Sequence, residues 1–150
     1  MFKLSSIPLE QIDLKEGLLS SDAGAFCSFE GWVRDHNEGK RVIGLEYEAY
    51  VILCEQEAEK ILKEAREKLD ILHVNCFHRV GRLNISEMAV WVGVTAAHRD
   101  AAFQACRYVI DEIKARLPVW KKEFYDNGDS DWVNCASCSS TPLSNRGIMK

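Results

Sequence analysis

An α+β fold with mixed and antiparallel strands and two main helices is predicted from three observations. Strand-like and helix-like stretches do not alternate strictly, neighbouring strands are joined by hairpin-length turns, and two amphipathic segments are separated by a pair of strands. GAFCSFEGWV (24–33) is rich in aromatic and β-branched residues. VIGLEYEAY (42–50) alternates Ile43, Leu45, Tyr47 and Ala49 against Glu46 and Glu48, so both stretches read as strands. RDHNEGKR (34–41) between them carries Asp, Asn and Gly and reads as a loop or hairpin tip. From 51 to 69, Val51, Cys54, Ala58, Ile61, Ala65 and Leu69 recur every three or four residues, which predicts a helix with Glu59–Lys63 and Glu64–Lys68 facing outward. ILHVNCFHRVGRL and EMAVWVGVTA follow as two strands joined through Asn84–Ser86. A second helix is expected from about His98 to Leu117, striped by Phe103, Cys106, Ile110, Ile113 and Leu117. Pro118 stops it, because proline disfavours α conformation in the residue before it. KKEFY and DWVNC then flank DNGDS, a turn-rich hairpin signal.

The 150 residues are expected to form one domain over 1–138, followed by a loose polar tail over 139–150. A formal net charge of −4 and a pI near 5.6 argue against a broad nucleic-acid-binding face. No window approaches the ~18 apolar residues of a membrane span. The stretch MFKLSSIPLEQIDL has one lysine, no long apolar run and no small-residue cleavage site, so the expected location is the cytoplasm. In that compartment the six cysteines read as thiols, four of them as small core residues. GxGxxG, P-loop and GxSxG patterns are absent, and no cofactor is expected.

Chemistry is expected where cations fall at element ends: Arg34, the pair His98 and Arg99, Lys114, and the pair Lys121 and Lys122, the last three in KARLPVWKKEF around Pro118. Each also has an ordinary reading. Arg34 could pair with Asp35 or Glu30, Lys114 could complement a helix C-terminus, and Lys121 and Lys122 could be a solvated strand edge. If Arg99 and Lys114 share one helix, they stand roughly 22 Å apart and cannot enter one small pocket of a single chain. They serve different sites, or a two-fold dimer brings one helix start beside its partner's helix end. The pair Cys135 and Cys138 supplies two of the four ligands structural zinc takes, and no second pair stands nearby. His36 could join a site beside Arg34, whereas His73 and His78 read as strand residues with local hydrogen bonds.

SFEGWVRDHNEGK (28–40), GVTAAHRDAAF (93–103) and IKARLPVWKKE (113–123), in that order, resemble the large, catalytic subunit of molybdopterin synthase, the MoaE family, and the likeness runs from about Ala25 to Val133. The resemblance implies an α/β hammerhead-type fold and a homodimer. It implies a small ubiquitin-like sulfur-carrier subunit at each end, giving a heterotetramer. The carrier's C-terminal Gly-Gly thiocarboxylate would supply sulfur to cyclic pyranopterin monophosphate, and two transfers would make the dithiolene of molybdopterin. By position Lys114 and Lys121 match the family's catalytic lysines, and Trp32, Val33 and Arg34 its substrate loop. His98 and Arg99 match a pair contributed by the other subunit. Lys122 and Glu123 fall in the segment lining the site, and Phe29 and Ile110 in its apolar wall. Fixed Arg and Lys charge is suited to holding a phosphate beside a thiocarboxylate. The chain departs from the pattern at Ala136, where relatives place an arginine, and Arg146 is a candidate substitute. Two rivals stand beside this reading. One is a noncatalytic adaptor for a ubiquitin-like tail, and the other a thiol-redox or zinc protein using Cys135 and Cys138.

Overall fold

The computed structural model describes residues 1–138. In chain order it forms β1 (Phe2–Ser5), a 3-10 turn at Leu9–Gln11, β2 (Ala25–Trp32), β3 (His36–Asn37), β4 (Lys40–Ala49), α1 (Val51–Lys68), β5 (His73–Arg79), β6 (Gly81–Leu83), β7 (Met88–Ala96), α2 (Arg99–Arg116), β8 (Val119–Tyr125), β9 (Gly128–Asp129) and β10 (Val133–Asn134), then a 3-10 turn at Cys135–Cys138. The α+β class and both helices stand as the sequence predicts. The tail over 139–150, Arg146 included, lies outside the described residues.

Two sheets organise these elements. The first has the order β1-β5-β7-β2, and the second runs β10-β8-β4-β3 with β6 added to β4 and β9 to β8. Among the described residues only β1 and β5 pair in parallel. Both helices bury their apolar stripes against the first sheet. Cys54, Ala58, Ile61 and Ala65 of α1, and Ala105, Val109 and Ile113 of α2, join Val74, Cys76, Val92 and Val94 in one core. Burying one Val or Ile side chain is worth about 1.5–3 kcal/mol, so this layer dominates stability. The other face of the sheet holds Phe77 and Trp91 against Leu9, Leu18 and Met88. Strand β7 is thereby covered on both faces, which explains its unbroken apolar run.

Three departures from the sequence reading have local causes. ILHVNCFHRVGRL is not one strand: Gly81, at φ +89, turns the chain, so β5 stays in the first sheet while β6 pairs with Leu45–Tyr47 of the second. A register shift between Val42 and Gly44 turns Val42 inward and leaves Ile43 exposed, reversing its expected side. The N-terminal stretch, read only for targeting signals, supplies β1, whose Phe2 lies opposite Cys76.

The helices are clamped by Arg116. Its guanidinium meets Glu57 at 2.7 Å and Glu64 at 2.6 Å, and Tyr108 donates to Glu64 at 2.7 Å. Glu64 therefore reaches across to α2 instead of serving only Lys68. Hydrogen bonds from Arg116 and then Tyr108 hold its carboxyl down at about 2, against an ordinary 4.5. A folded-state value below the unfolded one contributes stability above pH 4.5 that is lost as the pH falls toward 2. Glu64→Gln is expected to flatten the acid limb of the stability curve over that window, measured by urea unfolding at stepped pH. An unchanged acid limb would show that the clamp contributes nothing.

Candidate active site

Pro118 ends α2, and the chain turns directly into β8, which pairs along β4 with Lys121 opposite Tyr47 and Glu123 opposite Leu45. The helix end and the new strand so flank one cleft of about 1020 Å³, whose lining includes Trp32, Val33, Arg34, Lys114, Lys121 and Glu123. Val33 is buried and exchanges backbone hydrogen bonds with the 86–87 turn, which fixes the base of the loop carrying Arg34. The alternative ion pairs for Arg34 are taken: Asp35 meets His36 at 2.9 Å, and Glu30 accepts from Trp32 Nε1 at 2.9 Å. Among the described residues neither Arg34 nor Lys114 forms an ion pair with a carboxylate.

Lys121 is different. Its Nζ lies 2.9 Å from Oε1 of Glu123, a carboxylate only 6% exposed. Asn37 Nδ2 donates to the same oxygen at 3.1 Å, and the Tyr125 hydroxyl donates to Oε2 at 2.9 Å. Burial alone would push the Glu123 carboxyl up; Lys121, Tyr125 and Asn37 together outweigh it and hold the group below the usual range. The result is a fixed anion that orients Lys121.

A smaller groove of about 430 Å³ lies beside the cleft, lined by Phe29, Phe103, Cys27, Cys106, Ile110 and Lys114, among others. Phe103, expected on the buried stripe of α2, is 62% exposed at this groove. Phe29 and Ile110 therefore wall the groove and not the cleft itself. Lys114 borders both.

Not every expected residue is gathered here. Lys122 follows Lys121 on a strand and faces the other way, its Nζ 5.9 Å from the centre of the Trp132 ring. His98 caps α2 and Arg99 begins it, so both lie a full helix length from Lys114 and line neither cavity. Cys135 lines a small inner cavity with Lys114 and Lys121. The side chain of Cys138, its expected zinc or redox partner, lies outside the described residues. Asn37, Tyr47 and Tyr125 were missed as site residues. Tyr47 had a signal, since it shares the alternating face of β4 with Leu45.

The α+β scaffold thus gathers Arg34, Lys114 and Lys121 at a polar cleft, with Lys114 also at the mouth of an apolar groove. A family model described as MoaE protein matches residues 5–116. The molybdopterin synthase catalytic subunit of Thermoplasma volcanium is 41% identical over 124 residues, covering 83% of this chain and 90% of that protein. The crystal structure of molybdopterin synthase from Staphylococcus aureus superposes with a TM-score of 0.83 at 34% identity, covering 89% of this chain and 96% of that one. A complex of subunits 1 and 2 of molybdopterin-converting factor from Helicobacter pylori aligns at a TM-score of 0.72, covering 99% of each chain, and its 23% identity bears on the fold alone. The chain belongs to the MoaE family.

Proposed function

We propose that this chain is the catalytic subunit of a molybdopterin synthase. It transfers sulfur from the C-terminal thiocarboxylate of a small ubiquitin-like carrier to cyclic pyranopterin monophosphate, and two transfers yield the molybdopterin dithiolene. The observation that carries this reading is the place of Lys114, shared by the polar cleft and the apolar groove. An extended Gly-Gly tail suits the groove between Phe29, Phe103 and Ile110, because it has no side chains to exclude. The anionic pterin suits the cleft, where Arg34 and Lys121 offset its charge and that of the incoming thiocarboxylate. Lys114 stands where sulfur would pass, as nucleophile or proton-transfer group.

His98 and Arg99 complete the cleft of a second copy, which makes the working unit a homodimer and, with a carrier at each end, a heterotetramer. Residues 1–138 carry this function as one domain in the cytoplasm. The cysteines are not required as sulfur donors, because the sulfur arrives on the carrier.

The test is product formation from cyclic pyranopterin monophosphate and thiocarboxylated carrier, followed as the oxidised fluorescent pterin. Dithiolene is expected only when chain, carrier and substrate are all present. A folded chain that binds the carrier and makes no product is a noncatalytic adaptor, and the proposal falls.

A further inference from the structure

His78 does more than satisfy a strand. It is 8% exposed at the end of β5, and its Nδ1 lies 2.7 Å from the Arg79 carbonyl oxygen. A carbonyl only accepts, so Nδ1 carries the proton and, in the neutral ring, Nε2 carries an unshared pair. The Tyr47 ring stands edge-on to the imidazole, with centroids 5.0 Å apart, and limits its rotation. His78 lines an inner cavity of about 120 Å³ together with Tyr47, Lys114, Lys121 and Cys135. That space has room for several waters. Among the described residues the one hydrogen bond of the ring is that of Nδ1 to Arg79.

We propose that His78 is a positioning residue for the sulfur-transfer reaction: its Nε2 accepts a hydrogen bond from a water in this cavity that the Lys114 ammonium donates to in turn, and so holds that side chain at the junction of cleft and groove. The inference rests on the reading of Lys114 given above. Two further observations support it. The buried ring is kept neutral, first by burial and then by the charge of Lys114, which together outweigh the Arg79 hydrogen bond and bring its titration down to about 4. The other cation lining this cavity, Lys121, is already held by Glu123, whereas Lys114 has no carboxylate partner among the described residues. An acceptor fixed on a strand and unable to take up a proton near neutral pH orients an ammonium without competing for it.

The test compares two amide replacements. In His78→Asn, Nδ2 takes the place of Nδ1 and keeps the donation to Arg79, but nothing replaces the acceptor. In His78→Gln, Oε1 reaches the place of Nε2 and restores the acceptor. His78→Asn is expected to lose about a hundredfold in kcat at near-constant KM, with His78→Gln retaining activity to within about tenfold of wild type. Asparagine matching or exceeding glutamine would mark His78 as a structural residue and overturn the proposal.

Ring nitrogen NMR on the otherwise native chain decides the matter if the variants do not fold. Lys114→Met should shift the Nε2 resonance and raise the ring's titration midpoint from about 4, because it removes both the donor and the repelling charge. An unmoved Nε2 resonance and midpoint would refute the contact. This measurement needs no product, so failure of wild type to make dithiolene sinks the sulfur-transfer reading separately.

Discussion

Lys114→Ala is expected to lower dithiolene formation by about a thousandfold while leaving the fold intact. Lys114 is an exposed residue in the last turn of α2 and has no carboxylate partner among the described residues, so its removal breaks no ion pair. Alanine also favours a helix, and the change in stability should stay within about 0.5 kcal/mol. The loss would then report on the site and not on unfolding. Lys121→Ala makes a useful contrast, because it strips a buried carboxylate of its cation and leaves Glu123 with Asn37 and Tyr125. That variant should lose about 1–3 kcal/mol of stability along with activity. The comparison calls for product assays at equal folded concentration, thermal melts and carrier binding. Lys114→Ala activity within about tenfold of wild type would remove Lys114 from the transfer step.

Arg99→Ala and Lys114→Ala, each inactive alone, are expected to restore one another when mixed. Both residues lie on α2, one at each end, and the length of that helix separates them by roughly 22 Å. In a two-fold dimer with composite clefts, a heterodimer of the two variants carries one cleft with both substitutions and one with neither. After random exchange half the dimers are mixed, so about a quarter of the wild-type activity should return. The mixture is assayed after subunit exchange, with each variant alone as reference. No recovery from a fully exchanged mixture would place Arg99 outside its partner's cleft, and activity in Arg99→Ala by itself would remove it from the reaction.

Both helices were legible because a 3.6-residue stripe is local, and Pro118 marks the end of the second within the sequence itself. Strand β1 was not, since Phe2–Ser5 is four residues long and its partner β5 lies some seventy positions away. The split at Gly81 was hidden for another reason: an apolar run reads alike whether it stays in one sheet or crosses to a second. At the candidate site, the cationic corner of Lys114 and Lys121 could be read from the sequence. Arg34 could be read as a cation at an element end, and the family resemblance supplied its substrate role and the pterin. The Glu123 network draws Asn37 from a hairpin 86 residues away, and His78 owes its neutrality to burial beside Lys114; neither leaves a local trace.

Strand β8 carries its two lysines on opposite faces, and only the interval between Pro118 and Lys121 decides which one meets the cleft. That interval works as a phase setting. One residue inserted there would send Lys121 and Glu123 to the Trp132 side and bring Lys122 to the cleft without its carboxylate. The charge count and composition would be nearly unchanged, and the oriented pair would be gone. In this corner spacing is as much a part of the candidate site as residue identity, so length changes between helix and strand should be tolerated less than substitutions at Trp120.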